Sequence, residues 1–157
     1  MLKKYLFIFF LSMVPILELR GAIPIAVNWE LDYWTSLLIC VIGNMLPVPL
    51  IYFFARKVLH WGADKKYIGK FFRFCLEKGQ RGGERLMNRA GRGGLFLALM
   101  LFVGIPIPGT GAWTGTLAAS FLNMGIRTTA IAVSLGVILA GIIMGLGSHA
   151  AFGIIGI

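Results

Sequence analysis

Apolar residues form four long regions along the chain, and two of these regions are broken in the middle. Residues 5–29 and 95–126 are apolar but interrupted by prolines, glycines and polar residues, whereas residues 33–55 and 128–147 contain no charge over 23 and 20 positions. An uninterrupted apolar stretch of about 20 residues can cross the hydrocarbon core of a bilayer as a helix. The pattern therefore predicts two transmembrane helices, each preceded by a broken apolar segment.

The order of these regions indicates an internal repeat. If Gly21 is set against Gly111, Ala22 falls on Ala112, and the two unbroken spans begin at nearby positions. Repeated halves with broken segments in corresponding places are typical of transporters, whose binding site lies at the interface of the repeats. The predicted fold class is an all-α integral membrane protein of two repeated halves.

Each break has two structural interpretations. The segment could be a kinked helix that crosses the membrane, or a re-entrant hairpin whose two short arms enter about halfway and turn. The stretch "PIPGTGAWTG", residues 106–115, holds two prolines and three glycines, which favours a turn over a kink. Irregular backbone inside a bilayer must be buried in protein or line a cavity. We therefore expect the turns of the two hairpins to meet in the interior.

The two interpretations place the chain ends on different sides of the membrane. Eleven of the fifteen basic residues fall in residues 56–94, so the positive-inside rule predicts that this connecting loop is cytoplasmic. Re-entrant hairpins would then give inverted halves with both termini outside, whereas kinked spanning helices would leave both termini inside. Lys3 and Lys4 favour the second arrangement and Arg127 the first, so charge leaves the choice open.

Composition supports the membrane interpretation. The chain of 157 residues is 58% hydrophobic and 13% charged, with a mean hydropathy of +0.84, whereas soluble domains are about one quarter charged. We expect one membrane domain, with the basic loop facing lipid headgroups and not nucleic acid. Helical spacing within the loop predicts an interfacial amphipathic helix. Its apolar face would hold Ile68, Phe71, Phe72 and Cys75, and its basic face Lys66, Lys70 and Arg73.

Two motifs resemble those of a known family. "ELRGAIP", residues 18–24, and "PIPGTGAWTG" are similar to the signature stretches of the small multi-drug export protein family, a relative of the DedA-type membrane proteins. The resemblance implies facing re-entrant hairpins, a transport role and a prokaryotic inner or plasma membrane. DedA-type proteins are associated with flipping polyprenyl-phosphate lipids and with the proton-motive force, using acidic and arginine residues in their hairpins. Here the second motif has Thr110 where such a charged residue would stand.

Glu18 and Arg20 are the main candidate site residues. A lone charge at mid-bilayer costs at least about 2.5 kcal/mol, so such residues normally pair and face a cavity. We expect a turn near Gly21 and Pro24 that lets Glu18 and Arg20 pair with each other. The alternative is a purely structural ion pair. In a functional site, Glu18 would exchange a proton and Arg20 would attract an anionic headgroup.

The other candidate substrate or proton-binding residues come from both broken segments. They are Pro24 in the first segment and Pro108, Gly109, Thr110, Gly111, Trp113 and Thr114 in the second. We expect no catalytic role, because Glu18 is the only acidic residue in the apolar segments and hydrolysis needs a nucleophile with a base or paired acids. No metal ligand set or cofactor motif is present. The expected partners are membrane lipids, an amphipathic or lipid-linked substrate, protons, and a second copy of the chain in a dimer. A multidrug exporter of cationic compounds and a membrane scaffold remain the alternatives.

Overall fold

The computed structural model describes residues 1–15, 17–65, 69–107 and 110–155. These described residues form helices and connecting turns, with no strand among them. The helices are α1 (Leu2–Met13), α2 (Glu18–Asn28), α3 (Tyr33–Met45), α4 (Pro47–Ala63), α5 (Gly69–Gly104), α6 (Ala112–Phe121) and α7 (Ile126–Ile155).

Two helical segments have the length and apolar character needed to cross a membrane. Helices α3 and α4 together span Tyr33–Ala63, 31 residues whose most apolar 18-residue stretch has a mean hydropathy of 2.1, and α7 contributes Ile126–Ala151, whose most apolar 18-residue stretch has a mean hydropathy of 2.4. Leu46 joins α3 to α4 with helical angles of φ −61° and ψ −40°, and Pro47 is tolerated because the first residues of a helix need no N–H acceptor. The two uncharged spans of the sequence are therefore helical, as expected.

Helices α1 and α2 form an antiparallel pair, hairpin 1. Met13 and Glu18 are separated by only four residues. At the other end, Lys4 Nζ lies 3.4 Å from the carbonyl oxygen of Trp29, and the rings of Phe7 and Trp29 are 5.3 Å apart. The chain thus folds back on itself and does not continue as one kinked helix. At about 1.5 Å per residue each arm is shorter than 20 Å, well below the roughly 30 Å of a bilayer core.

The second broken segment also folds back, forming hairpin 2. Helix α5 kinks at Gly91, where φ is 65°, and its apolar part, Gly91–Gly104, leads into the turn before α6. Gly115 of α6 lies directly against Val103, and Leu122 lines a small cavity together with Leu95. Residues near the end of α6 therefore contact residues near the start of the apolar part of α5, which requires antiparallel arms.

The basic segment, residues 56–94, contains more helix than the sequence predicted. Helix α4 continues through Arg56 and Lys57 to Ala63, and α5 begins at Gly69, so the interpretation of residues 56–94 as mainly loop is corrected. The faces predicted for the amphipathic helix lie largely outside the described residues, which include neither Lys66 and Ile68 nor the side chains of Phe71, Phe72 and Cys75.

The same turn ends α2 and α6. The N–H of Leu31 donates to the oxygen of Ala26 at 3.0 Å, and the N–H of Met124 donates to the oxygen of Ala119 at 3.0 Å. The residue before each donor has left-handed angles, with φ 55° at Glu30 and 57° at Asn123. This is the hydrogen-bond pattern of a Schellman helix end.

Matching these two turns gives a register for the predicted repeat that differs from the one taken from Gly21 and Gly111. When Glu30 is set against Asn123, Glu18 falls on Gly111, whereas Gly21 falls on Thr114.

Each hairpin packs one arm on the long helix that follows it in the chain and the other arm on a long helix of the other half. In hairpin 1, α1 lies against α3 and α2 against α7. In hairpin 2, α5 lies against α7 and α6 against α4. The core between them contains fully buried aliphatic side chains from both halves, including Ile8, Leu19, Ile23, Val103 and Val133. This packing brings the turn of hairpin 1 against the turn of hairpin 2.

Candidate functional site where the hairpins meet

Glu18 joins the two hairpins through its carboxylate. It is the first residue of α2 and is buried, with 6% of its surface exposed. Oε2 accepts a hydrogen bond from the main-chain N–H of Ala112 at 3.2 Å, and Oε1 accepts one from the N–H of Trp113 at 3.1 Å. Helix α6 has no side-chain cap and no acidic residue in its own first turn. Glu18 therefore caps α6 from the other hairpin, where a negative charge is favoured by the helix dipole.

The backbone at Glu18 is strained. Its φ of 47° lies in the left-handed region, which costs a non-glycine residue about 1–2 kcal/mol. The two hydrogen bonds to α6 hold the residue in this conformation and offset part of that cost.

Gly111 provides the space for the carboxylate. It is buried immediately before α6, and a Cβ atom added there would clash with both oxygens of Glu18. Its φ of 160° is an extended conformation open to any residue. The glycine is therefore required by the close approach of Glu18 and not by its backbone angles.

Arg20 binds main-chain carbonyl oxygens of hairpin 2, whereas Glu18 binds main-chain N–H groups of the same hairpin. Its guanidinium donates to the main-chain carbonyl oxygens of Val103 at 3.1 Å, Ile105 at 3.2 Å and Ile107. It also lies 2.8 Å from the hydroxyl oxygen of Thr110, which is itself 2.9 Å from the oxygens of Ile105 and Ile107. Val103 lies in the last turn of α5, where carbonyl oxygens carry partial negative charge. The oxygens of Ile105 and Ile107 also accept from the main-chain N–H groups of Ile107 and Thr110.

Glu18 and Arg20 do not form the ion pair expected between them. Among the described residues the recorded ion pair is Arg81 with Glu77, and both candidate residues lie on α2, where positions two apart point in different directions. The predicted turn at Gly21 and Pro24 is also wrong, because the turn of hairpin 1 precedes Glu18. Each charge is satisfied instead by main-chain groups of opposite polarity in hairpin 2.

Trp113 connects this charged contact to an apolar groove. Its indole N–H donates to the carbonyl oxygen of Met13 at 3.2 Å, while its main-chain N–H binds Glu18. Its side chain lines a groove of about 270 Å³ between α4 and α6. The other lining residues are all apolar and include Phe54 and Val58 of α4 with Leu117 and Phe121 of α6.

The remaining predicted residues have different positions. Pro24 lies within α2 and is half-buried; because proline lacks an N–H, the carbonyl of Arg20 is left without its usual helical donor. Thr114 is exposed, and its hydroxyl lies 3.4 Å from the oxygen of Gly111. Pro108 and Gly109 lie outside the described residues.

Sequence reasoning missed the main-chain partners at this site. The oxygens of Met13, Val103, Ile105 and Ile107 bind the polar side chains, but a backbone carbonyl has no residue-type signature. The available signal was the proline- and glycine-rich composition of residues 106–111, because the backbone polar groups of such a segment must be satisfied inside the protein.

Two apolar helices of spanning length, packed with two hairpins that share a buried glutamate and a partly buried arginine, define a small helical membrane protein. Residues 18–143 match the family described as "Putative small multi-drug export protein". The chain belongs to this family. No curated protein and no solved structure gave a significant match.

Proposed function

We propose that the protein exports amphipathic compounds across the membrane in exchange for protons, and that Glu18 is the proton-carrying group. The observation that carries the proposal is the position of Glu18, an ionisable side chain that links hairpin 1 to the start of α6. Ionisable residues inside membrane segments commonly mark substrate and proton pathways. Transport is favoured over catalysis because the family is named for export.

Protonation of Glu18 would weaken the contact between the hairpins. The ionised carboxylate accepts from the N–H groups of both Ala112 and Trp113. A protonated carboxyl has no net charge to interact with the helix dipole, and one of its oxygens becomes a donor. Proton binding would therefore favour a conformation in which the turns separate, and proton release would favour the closed one.

The groove beside Trp113 would hold the apolar part of the substrate. Its lining comes from α4 and α6 and contains no polar side chain among the residues described there. A substrate in the groove would touch the Trp113 ring, whose main-chain N–H binds Glu18. This arrangement would couple occupancy of the groove to the protonation of Glu18.

Two variants of the proposal differ in the charge of the substrate's polar part. A cationic compound could lie against the Trp113 ring through a cation–π contact. A polyprenyl-phosphate-like lipid, suggested by the resemblance to DedA-type proteins, would require Arg20 to leave the carbonyls of Val103, Ile105 and Ile107. The existing contacts of Arg20 support the cationic substrate more directly.

A transport assay tests the proposal. Vesicles containing the protein and an imposed pH gradient would be supplied with a cationic dye or a labelled polyprenyl-phosphate lipid. We expect dye flux that follows the gradient and falls about tenfold or more in Leu117→Trp, because the larger side chain would occupy the groove proposed to hold the substrate. Leu97→Trp, at an exposed position of α5, is the matched control and should transport normally. Lipid movement without dye movement would favour the lipid substrate, and a pH gradient that drives neither would contradict the transport proposal.

We further propose that the hairpins are re-entrant, that the two halves are inverted in the membrane, and that the protein functions as a dimer. Helices α1, α2 and α6 and the apolar part of α5, Gly91–Gly104, are each too short to cross the bilayer. With the basic segment in the cytoplasm, the long helices then leave both termini outside.

Cysteine labelling tests this topology. In a Cys40→Ser, Cys75→Ser background, cysteines introduced at Leu2 and Ala150 should react with a membrane-impermeant maleimide added to intact cells. A cysteine at the exposed Arg85 should react only after the membrane is opened. Protection of both terminal positions in intact cells would overturn the inverted arrangement.

A further inference from the structure

A polar cavity of about 340 Å³ lies at the start of α7, away from the contact between Glu18 and α6. Its lining contains Arg92, Leu95, Asn123, Met124, Gly125 and Thr128. The cavity thus lies where the basic segment meets the turn between α6 and α7. Its size is within the range of about 300–1,000 Å³ that is usual for small-molecule sites.

The corresponding position in the first half contains a carboxylate. Asp32 precedes α3, and its side chain accepts a hydrogen bond from the N–H of Thr35 at 2.8 Å. Hydrogen bonds from Thr35 hold the pKa of Asp32 below its usual range, so the residue is ionised at neutral pH. Asp32 therefore caps α3 with a negative charge.

At α7 the matching carboxylate is missing. The shared turn geometry sets Gly125 against Asp32 and Thr128 against Thr35. The carbonyls of Asp32 and Gly125 each accept the first helical hydrogen bond, at 2.9 Å. Helix α7 has no acidic residue in its first turn, and among the described residues no acceptor is recorded for the N–H of Thr128. The cavity occupies the place where the capping carboxylate would lie.

The polar side chains at this cavity can act as donors. Arg92 has no hydrogen bond or ion pair recorded with any described residue. The amide oxygen of Asn123 is bound by Arg56 at 2.7 Å, which leaves its NH₂ group as the part free to donate. Thr128 adds a hydroxyl and its main-chain N–H.

We propose that this cavity binds a phosphate group, with Arg92 as its principal charged ligand. A phosphate would supply the acceptor oxygens that the start of α7 lacks, and arginine and helix N-termini are both suited to bind it. The group could belong to an anionic phospholipid or to free inorganic phosphate. The site is distinct from the contact between the hairpins and does not depend on the transport proposal.

The test uses the full-length protein in nanodiscs and measures its thermal unfolding. Three conditions are compared at equal ionic strength: phosphatidylcholine alone, phosphatidylcholine with phosphatidylglycerol, and phosphatidylcholine with added inorganic phosphate. We expect the anion to raise the unfolding temperature of the wild-type protein. In Arg92→Gln the anion concentration needed for half of this effect should rise about tenfold, because a charge-assisted contact is lost. Arg85→Gln, another exposed arginine of the same helix, should respond as wild type.

Gly125→Asp gives an independent test that does not remove a ligand. It introduces at α7 the carboxylate that Asp32 provides at α3, and the added Cβ would meet only the hydroxyl of Thr128, at 4.0 Å. This variant should be more stable than wild type without anion and should gain little when anion is added.

The pattern of responses identifies the source of the phosphate. Stabilisation by phosphatidylglycerol alone would assign the site to a lipid headgroup, and stabilisation by inorganic phosphate alone would assign it to the free ion. The proposal is wrong if neither anion stabilises the protein, or if Arg92→Gln and Gly125→Asp respond as strongly as wild type.

Discussion

Glu18→Gln is expected to reduce gradient-driven export to background while the protein remains folded. Glutamine is nearly isosteric, and its single oxygen can still accept from either Ala112 or Trp113, but its NH₂ group cannot accept from the other. Loss of the charged cap should cost about 1–2 kcal/mol of folding stability. The substituted residue cannot carry a proton, so flux in vesicles should no longer respond to an imposed pH gradient.

Glu30→Gln provides the matched control for this experiment. Glu30 is exposed in the turn after α2, and its substitution removes the same charge without touching α6. It should leave transport at the wild-type rate. Wild-type gradient-driven flux in a correctly folded Glu18→Gln protein would exclude Glu18 as the proton carrier and leave it with a purely structural role.

The sequence was sufficient to predict the two helical segments of membrane-spanning length. Uncharged runs at residues 33–55 and 128–147 fall within helices of spanning length, because only a helix satisfies every backbone group of such a run in lipid. The dense proline and glycine content of residues 106–115 also marked the place where α5 ends, at Gly104, and the antiparallel α6 begins, at Ala112. These features depend on local composition, which a single sequence contains.

The detailed contacts of the site could not be predicted in the same way. Sequence proximity suggested that Glu18 and Arg20 pair with each other, but their partners are main-chain groups more than 80 positions away. Gly111 was chosen as part of a turn, whereas its main requirement is the space taken by the Glu18 carboxylate. The groove could not be predicted from the sequence, because Phe54 and Leu117 do not differ in residue type from other apolar residues of a membrane helix.

The charged contact also explains how two ionisable residues are accommodated in this apolar surrounding. A helix pair that turns back leaves N–H groups at the start of one arm and carbonyls at the end of the other. Hairpin 2 presents both sets to α2, and the carboxylate and the guanidinium each bind the set of opposite polarity. The two charges therefore stabilise hairpin 2, and the main-chain groups of hairpin 2 satisfy the two charges.

Arg20→Ala is expected to cause the largest loss of folding stability. The substitution removes the donor to three carbonyl oxygens and leaves the negative charge of Glu18 without a nearby cation. Arg20 is partly buried, and the oxygens of Ile105 and Ile107 would still accept from the main-chain N–H groups of Ile107 and Thr110, so the cost should be that of a charged hydrogen bond, about 1.5–3 kcal/mol. Thermal unfolding in detergent should therefore begin at a lower temperature, with a smaller loss in Arg20→Lys, which retains the charge.

Arg127→Ala is the control, because Arg127 is exposed at the start of α7 and its loss changes the net charge equally. It should unfold close to the wild-type temperature. If Arg20→Ala is as stable as this control but binds a polyprenyl-phosphate lipid more weakly than wild type, Arg20 is a substrate ligand, and the carbonyl contacts contribute little to stability. If it is destabilised and the fraction that remains folded still transports a cationic dye, Arg20 acts by positioning the turn of hairpin 2 for Glu18.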